Sequence, residues 1–199
     1  MEEIKLKKIA KISSGMVLKR FIKSMKSSAV PTTKNTEKSR DDYYHITIKS
    51  VEDNKIHKNL FEQVSMERTV DDKYLLKKGD IVMKLTPPYS TAVIDFECEN
   101  LVAPSNFAII RVKDEFDSEY VSFVLNSKNI RKQLNRLVEG TTLAVIKINH
   151  LKELDIRCRD KKEQIKYAEL ASLLSKRLTL RTRILEIEKE LTEDLLSGI

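Results

Sequence analysis

Thr86-Pro87-Pro88-Tyr89 is a stretch whose residue types could do chemistry on a nucleobase. A polar side chain ahead of Pro-Pro-Tyr can accept a hydrogen bond from an exocyclic amino group, while the tyrosine stacks on a base swung out of the duplex. Methyl transfer at such a loop also needs a nucleoside cofactor. The backbone approaches that cofactor through a glycine-rich turn between strand and helix. The four glycines, Gly15, Gly79, Gly140 and Gly198, are scattered, and none sits in a turn of that kind. Thr86 keeps its hydroxyl, but the loop has no cofactor cradle.

Other reactive arrangements are missing as well. Asp41-Asp42 and Asp71-Asp72 are paired carboxylates, yet no Asp…Glu-x-Lys spacing accompanies them. Cys98 and Cys158 have no sequence neighbour that would lower a thiol pKa, and Ser105 lacks the Gly-x-Ser-x-Gly elbow. Two distant cysteines with His45, His57 and His150 give no zinc-ligand spacing. The expectation is a chain without catalytic residues, metal or cofactor.

The charge points elsewhere. A formal net charge of +7 suits a polyanionic partner, and it is concentrated. Between positions 19 and 40, Lys19, Arg20, Lys23, Lys26, Lys34, Lys38 and Arg40 oppose Glu37 alone, among many Ser and Thr. This is either a solvated surface insertion or a loop that follows a phosphate backbone and releases its counterions. No run approaches the ~20 apolar residues of a membrane span. Met1-Glu2-Glu3-Ile4-Lys5 has no apolar signal core. The expected compartment is a reducing cytoplasm.

The elements that must position these residues are legible in the hydrophobic pattern. Residues 4–15 predict a helical turn leading into a strand. Tyr44, Ile46 and Ile48 alternate as in a half-buried strand. After the turn at Lys78-Gly79-Asp80 comes an apolar strand, Ile81–Leu85, and Thr91–Phe96 and Asn106–Val112 predict two more. The period then becomes helical: Asp117 or Ser118 caps a helix through Leu125, and a second runs from Lys128 to Val138 with Gly140 as its stop. Strands and helices without regular alternation place residues 1–157 in the α+β class, with a mixed sheet.

The last segment, 158–199, is a long helix. Asp160 and Glu163 form a capping box, and no Pro or Gly interrupts the chain from there to Leu196. A heptad places Leu170, Arg177, Ile184 and Leu191 at one seam position and Leu173, Leu180, Ile187 and Asp194 at the other. Leu174, Leu178, Leu185, Leu195 and Leu196 widen the stripe. Such a rod, about 55 Å long at about 1.5 Å per residue, needs another helix to cover it, or must fold back on its own domain.

In order, the parts are a basic N-terminal loop, Lys77-Lys78-Gly79-Asp80-Ile81-Val82, the Pro-Tyr loop and Ser105-Asn106-Phe107-Ala108. Leu125-Asn126-Ser127, Glu139-Gly140-Thr141-Thr142, Leu151-Lys152-Glu153-Leu154-Asp155-Ile156 and Glu163-Gln164 follow. This series resembles the specificity subunit of type I restriction–modification systems over nearly the whole chain. The usual proline-rich lead before Glu-Gln is here Arg157-Cys158-Arg159-Asp160, and no Trp opens the domain. The family has two tandem target-recognition domains, each followed by a helix. This chain has one of each and so resembles a half-length form. The resemblance implies a non-catalytic, DNA-binding subunit that directs separate methyltransferase subunits, and possibly a nuclease subunit, to a site.

On that basis Lys19, Arg20, Lys23 and Lys26 are candidates for phosphate contacts. Lys84, Thr86, Tyr89, Ser90, Ser105, Asn106, Thr141 and Thr142 are candidates for the groove of double-stranded DNA. Leu170, Leu173, Leu180, Ile184, Ile187 and Leu191 are candidates for a partner helix, expected in a homodimer. Two alternatives stay open: a truncated cassette acting as a decoy for the methyltransferase subunits, and an autonomous DNA-binding regulator.

Overall fold

The computed structural model describes residues 2–21, 42–66, 68–139 and 144–197. The first half runs β1 (Glu2–Lys5), α1 (Leu6–Ile9), β2 (Ala10–Ser14), β3 (Asp42–His45), β4 (Val51–Glu52), β5 (Lys55–Ile56) and β6 (Glu62–Ser65). It continues through β7 (Ile81–Lys84), β8 (Thr91–Val93), β9 (Leu101–Val102) and β10 (Phe107–Val112). The second half is α2 (Ser118–Leu125), α3 (Lys128–Val138), α4 (Ile148–Lys152), β11 (Asp155–Cys158) and α5 (Lys161–Ser197).

An antiparallel sheet in the order β2-β10-β7-β8 forms the middle layer. All four residues of β7 are buried, because the sheet is covered on both faces and its strands therefore read as continuous apolar runs. Ile81, Met83, Ala108 and Ile110 face one core with Leu6, Ile9, Val121, Ile130, Leu134 and Ile156. Val82, Ala92, Phe107 and Ile109 face a second core with Ile46, Val51, Leu76 and Leu101. A mixed sheet, β6-β3-β9, carries the parallel pair β3–β9 and helps enclose a third cluster around Met16, Tyr43, Val64 and Val102. The architecture is α+β with a long C-terminal helix.

The turn before β7 shows how the sequence builds its corners. Gly79 takes φ 89°, open to glycine at little cost. Asp80 follows, 4% exposed. Its carboxylate accepts from the Lys77 backbone N–H at 2.9 Å and from Arg111 Nε at 3.0 Å, while Arg111 Nη2 donates to the Leu75 carbonyl at 2.6 Å. This buried, fully partnered acid makes Lys-Gly-Asp a joint between the turn and β10.

The α-helical expectations hold at their caps. Asp117 accepts from the Tyr120 amide at 2.7 Å, and Asp160 accepts from the Glu163 amide at 2.9 Å. The box at Asp160 is half-built, because the Glu163 carboxylate turns to Arg159 at 3.3 Å. Gly140 lies outside the described residues. Two expectations on strands are corrected. The turn at 4–15 is preceded by β1, which pairs with β11 in register Glu2↔Cys158 to Lys5↔Asp155. In β3 the alternation is inverted, with Tyr43 buried and Tyr44 exposed. The Tyr43 hydroxyl accepts from the Val70 amide at 3.4 Å, and a 3-10 turn at Ile48–Ser50 takes Ile48 out of any strand.

Only Gln164 and Ala168 of α5 are buried. Gln164 is the root. Its side-chain oxygen accepts from the Asp117 amide at 2.8 Å, and its Nε2 donates to the Arg159 carbonyl at 2.8 Å. From Leu170 onward the apolar stripe stands in solvent, with Leu173 at 63%, Leu180 at 65% and Leu195 at 73% exposure. Up to Leu180 the helix borders the domain across a cleft, and residues 181–197 are all exposed. Among the described residues, no helix is long and apolar enough to cross a membrane.

Candidate nucleic-acid interface

Among the described residues, the candidate contacts Lys84, Thr86, Tyr89, Ser90, Ser105 and Asn106 lie where β7 ends and β8 and β10 begin. At Gly15 an added Cβ would lie 2.1 Å from the Pro104 carbonyl oxygen. Glycine thus lets the end of β2 press against Ala103–Pro104. The amide of Met16 donates to the Ala103 carbonyl at 2.8 Å, and Met16 bridges Pro104. The exposed Lys19 and Arg20, in a 3-10 turn at Leu18–Arg20, follow this contact by three and four positions. The amide of Leu85 donates to the Asn106 carbonyl at 2.9 Å, and the amide of Ile146 to the Leu85 carbonyl at 2.8 Å. Three loops, 86–89, 104–106 and 144–146, therefore converge at one end of the sheet.

Of the residues expected at the groove, Ser105 is exposed, and Thr86 and Asn106 are half-buried. Two expectations, at Tyr89 and Ser90, are corrected. Tyr89 is 2% exposed, packs into the main core and donates its hydroxyl to the Ala144 carbonyl at 3.2 Å. Burial pushes its pKa up, and its ring is not free to stack on a base. The positive φ of 59° at Tyr89 is a costly conformation for this residue. Its ring burial and a hydrogen bond donated by its backbone amide to the Thr86 carbonyl at 2.9 Å accompany that conformation. Ser90 is 4% exposed, its carbonyl accepting from the Lys84 amide at 3.0 Å. Lys84 is 8% exposed. At the surface this loop presents Thr86, Pro87 and Pro88, with a cis bond between the prolines. Lys23, Lys26, Thr141 and Thr142 lie outside the described residues.

Lys84 carries the electrostatics of this end. Burial holds its ammonium below the usual lysine range, partly offset by Glu52 and Asp53. Among the described residues no carboxylate forms an ion pair with it. One residue before Phe107, the strand partner of Lys84, Asn106 Oδ1 is buried with no hydrogen-bond partner. A desolvated cation and an orphaned acceptor are costly to keep in a core, and each suits a site that completes its bonds on a ligand.

Several motif pieces prove to be joints. Asn126 Oδ1 accepts from the Thr91 amide and its Nδ2 donates to the Thr91 carbonyl, both at 2.9 Å, so it staples the α2–α3 corner to β8. Sequence reasoning missed these roles because each partner lies 31 to 47 residues away. Among the described residues, no group of three His, Cys, Asp or Glu side chains is placed to hold a metal ion.

No protein-family model and no curated protein matches the chain. Solved structures do. One, from work on complex assembly and conformational transition of the type I R-M system, superposes with TM-score 0.61 at 15% identity over 96% of this chain. The HsdS subunit from Thermoanaerobacter tengcongensis gives 0.54 at 12% identity over 92%, and the Type-I restriction-modification system S subunit from M. genitalium 0.54 at 19% over 97%. The chain has the fold of a type I specificity subunit. It spans 43%, 39% and 44% of those three chains respectively. The type I specificity-subunit fold thus accounts for both the globule and the long helix in one superposition.

Proposed function

We propose that the chain is a DNA-reading specificity subunit: it makes no covalent change itself and directs separate methyltransferase subunits, and possibly a nuclease subunit, to a site. The observation that carries this reading is the helix α5, rooted in the domain by Gln164 and presenting an uncovered leucine–isoleucine stripe over most of its length. Residues 1–157 would recognise a half-site through the loops at the sheet end, and 158–199 would hold two readers apart. The half-site contacts would come from Thr86, Ser105 and Asn106, with Lys19, Arg20, Lys23 and Lys26 on phosphates and Thr141 and Thr142 beside them.

Burying an exposed leucine stabilises by about 1.5–3 kcal/mol. Leu170, Leu173, Leu180, Ile184, Ile187 and Leu191 together therefore favour helix pairing strongly. Two antiparallel copies related by a twofold axis would place two recognition domains on inverted half-sites separated by a non-specific gap. The working compartment is the cytoplasm, where DNA and the methyltransferase subunits are found together.

Analytical ultracentrifugation tests the pairing. The wild-type chain sediments as a dimer and the Ile184→Asp/Ile187→Asp variant as a monomer. An unchanged dimer in that variant rules out this seam. Co-purification with sequencing of methylated DNA tests the partners. Bound methyltransferase subunits with one methylated bipartite motif support the reading, whereas bound subunits with suppressed methylation identify a decoy.

A further inference from the structure

Three consecutive residues, Asp53 and Asn54 in the turn after β4 and Lys55 at the start of β5, each hold a different part of the molecule. Asp53 forms an ion pair with Arg131 on α3. Asn54, at φ 58°, donates its amide to the Thr91 carbonyl at 2.7 Å. Its side-chain oxygen accepts from Ser122 Oγ at 3.1 Å and Asn126 Nδ2 at 2.9 Å, at the end of α2. Lys55 reaches the long helix, donating from Nζ to Thr179 Oγ1 at 2.8 Å. The Thr179 hydroxyl donates its own proton to the Ser175 carbonyl at 3.1 Å, which leaves its lone pairs facing Lys55. Asparagine is among the few residues that accept this left-handed backbone readily.

The contact from Lys55 crosses open space. Between the root of α5 and Thr179 lies a cleft of about 700 Å³, lined among others by Phe123, Ala168, Ala171, Ser172 and Leu180. The helix is therefore seated through its first turns, at Gln164 and at Ala168 in the main core, and held again at Thr179, roughly 22 Å beyond Gln164 at about 1.5 Å per residue. One fixed point is a pivot. Two fixed points define an angle.

We propose that the Asp53–Asn54–Lys55 turn is a strut that fixes the angle of α5 to the domain. Taken with the twofold pairing proposed above, on which this second step rests, that angle sets the number of base pairs between half-sites. The lever arm makes the consequence large. Ser197 lies roughly 50 Å from Gln164 along the helix, and one base pair advances the duplex by about 3.4 Å. Tilting α5 about its root by one base pair at the tip displaces Thr179 by about 1.5 Å, enough to break a hydrogen bond. Lys55, Asn54 and Thr179 act as positioning residues and touch no DNA.

The test uses the full chain in two measurements. Spin labels at positions 113 and 193, diluted with unlabelled chain, report the domain-to-helix distance. Binding to duplexes bearing inverted half-sites at a series of gaps reports spacing preference. Lys55→Ala and Thr179→Val each broaden the distance distribution and admit gaps one base pair shorter and longer at affinities within a few-fold of the preferred gap. Thr179→Ser, which keeps the acceptor, restores both. Unchanged distances in Lys55→Ala and Thr179→Val overturn the strut. Broadened distances with an unchanged gap profile overturn its role as a ruler. A wild-type chain that binds no duplex defeats the DNA-reading function instead, and the distance measurement still decides the strut.

Discussion

Strand β7 meets opposite surroundings at its two ends. Before it, Asp80 is buried with its bonds made: the Lys77 amide and the Arg111 guanidinium hold the carboxylate. At the other end Lys84 is buried with its charge disfavoured, Asn106 Oδ1 has no partner, and Tyr89 sits at positive φ. The two ends are four positions apart and share the same sheet. One was built for stability, and the other carries interactions a folded core would sooner be without. Unspent polar groups of this kind collect where a protein meets its ligand.

The largest expected effect breaks the satisfied end. Asp80→Ala leaves Arg111 without its carboxylate and should cost about 3–5 kcal/mol, read as a lowered midpoint in urea. A loss under about 1 kcal/mol would make the two ends alike. At the central joint, Asn126→Ala removes the bonds tying α2 to β8 and should cost about 1–3 kcal/mol, with the same readout.

The opposite end responds with the opposite sign. Lys84→Met removes a desolvated charge and keeps the volume, so stability should hold or rise while duplex affinity falls. If Lys84 meets a phosphate, the slope of log affinity against log salt becomes shallower by about one. A clear loss of stability would show that Lys84 is held by a partner and is not poised for one. The pH dependence follows from the same group. Its folded pKa lies below the ordinary value, so between the two the unfolded chain binds more protons, and wild-type stability rises with pH through that window. Lys84→Met should lack this rise. Thr86→Ala sharpens the contrast at the smallest scale: stability stays within about 0.5 kcal/mol, and the change appears in which duplexes are bound.

What could be read in the sequence was local. Asp117 and Asp160 announce their helices because a cap is chosen by the amide three residues on. The apolar run at β7 and the leucine stripe of α5 are equally self-contained. The failures all involve distant partners. Tyr89 reads as an exposed loop residue until Ala144, 55 positions away, closes over it. Tyr43 and Tyr44 exchange faces because β3 is paired by β6 and β9, and neither pairing is written in the local alternation. The strand β1 is too short to notice and exists through β11 at the far end of the domain. Of the candidate contacts, Ser105, Lys19 and Arg20 needed only exposure to be placed correctly at the surface. Lys84 needed a knowledge of both layers.

The same division runs along α5, whose first turns are bonded into the domain while the remainder waits for a surface to cover it. On the proposed function, the loop end would read DNA, the uncovered helix would act as a spacer, and the target would have two parts. Selection from a random duplex library by the purified chain, alone and with the methyltransferase subunits proposed as partners, tests that directly. The account predicts enrichment of two inverted short motifs at one fixed gap of unconstrained bases. A single continuous asymmetric motif, or no enrichment at all, would contradict it.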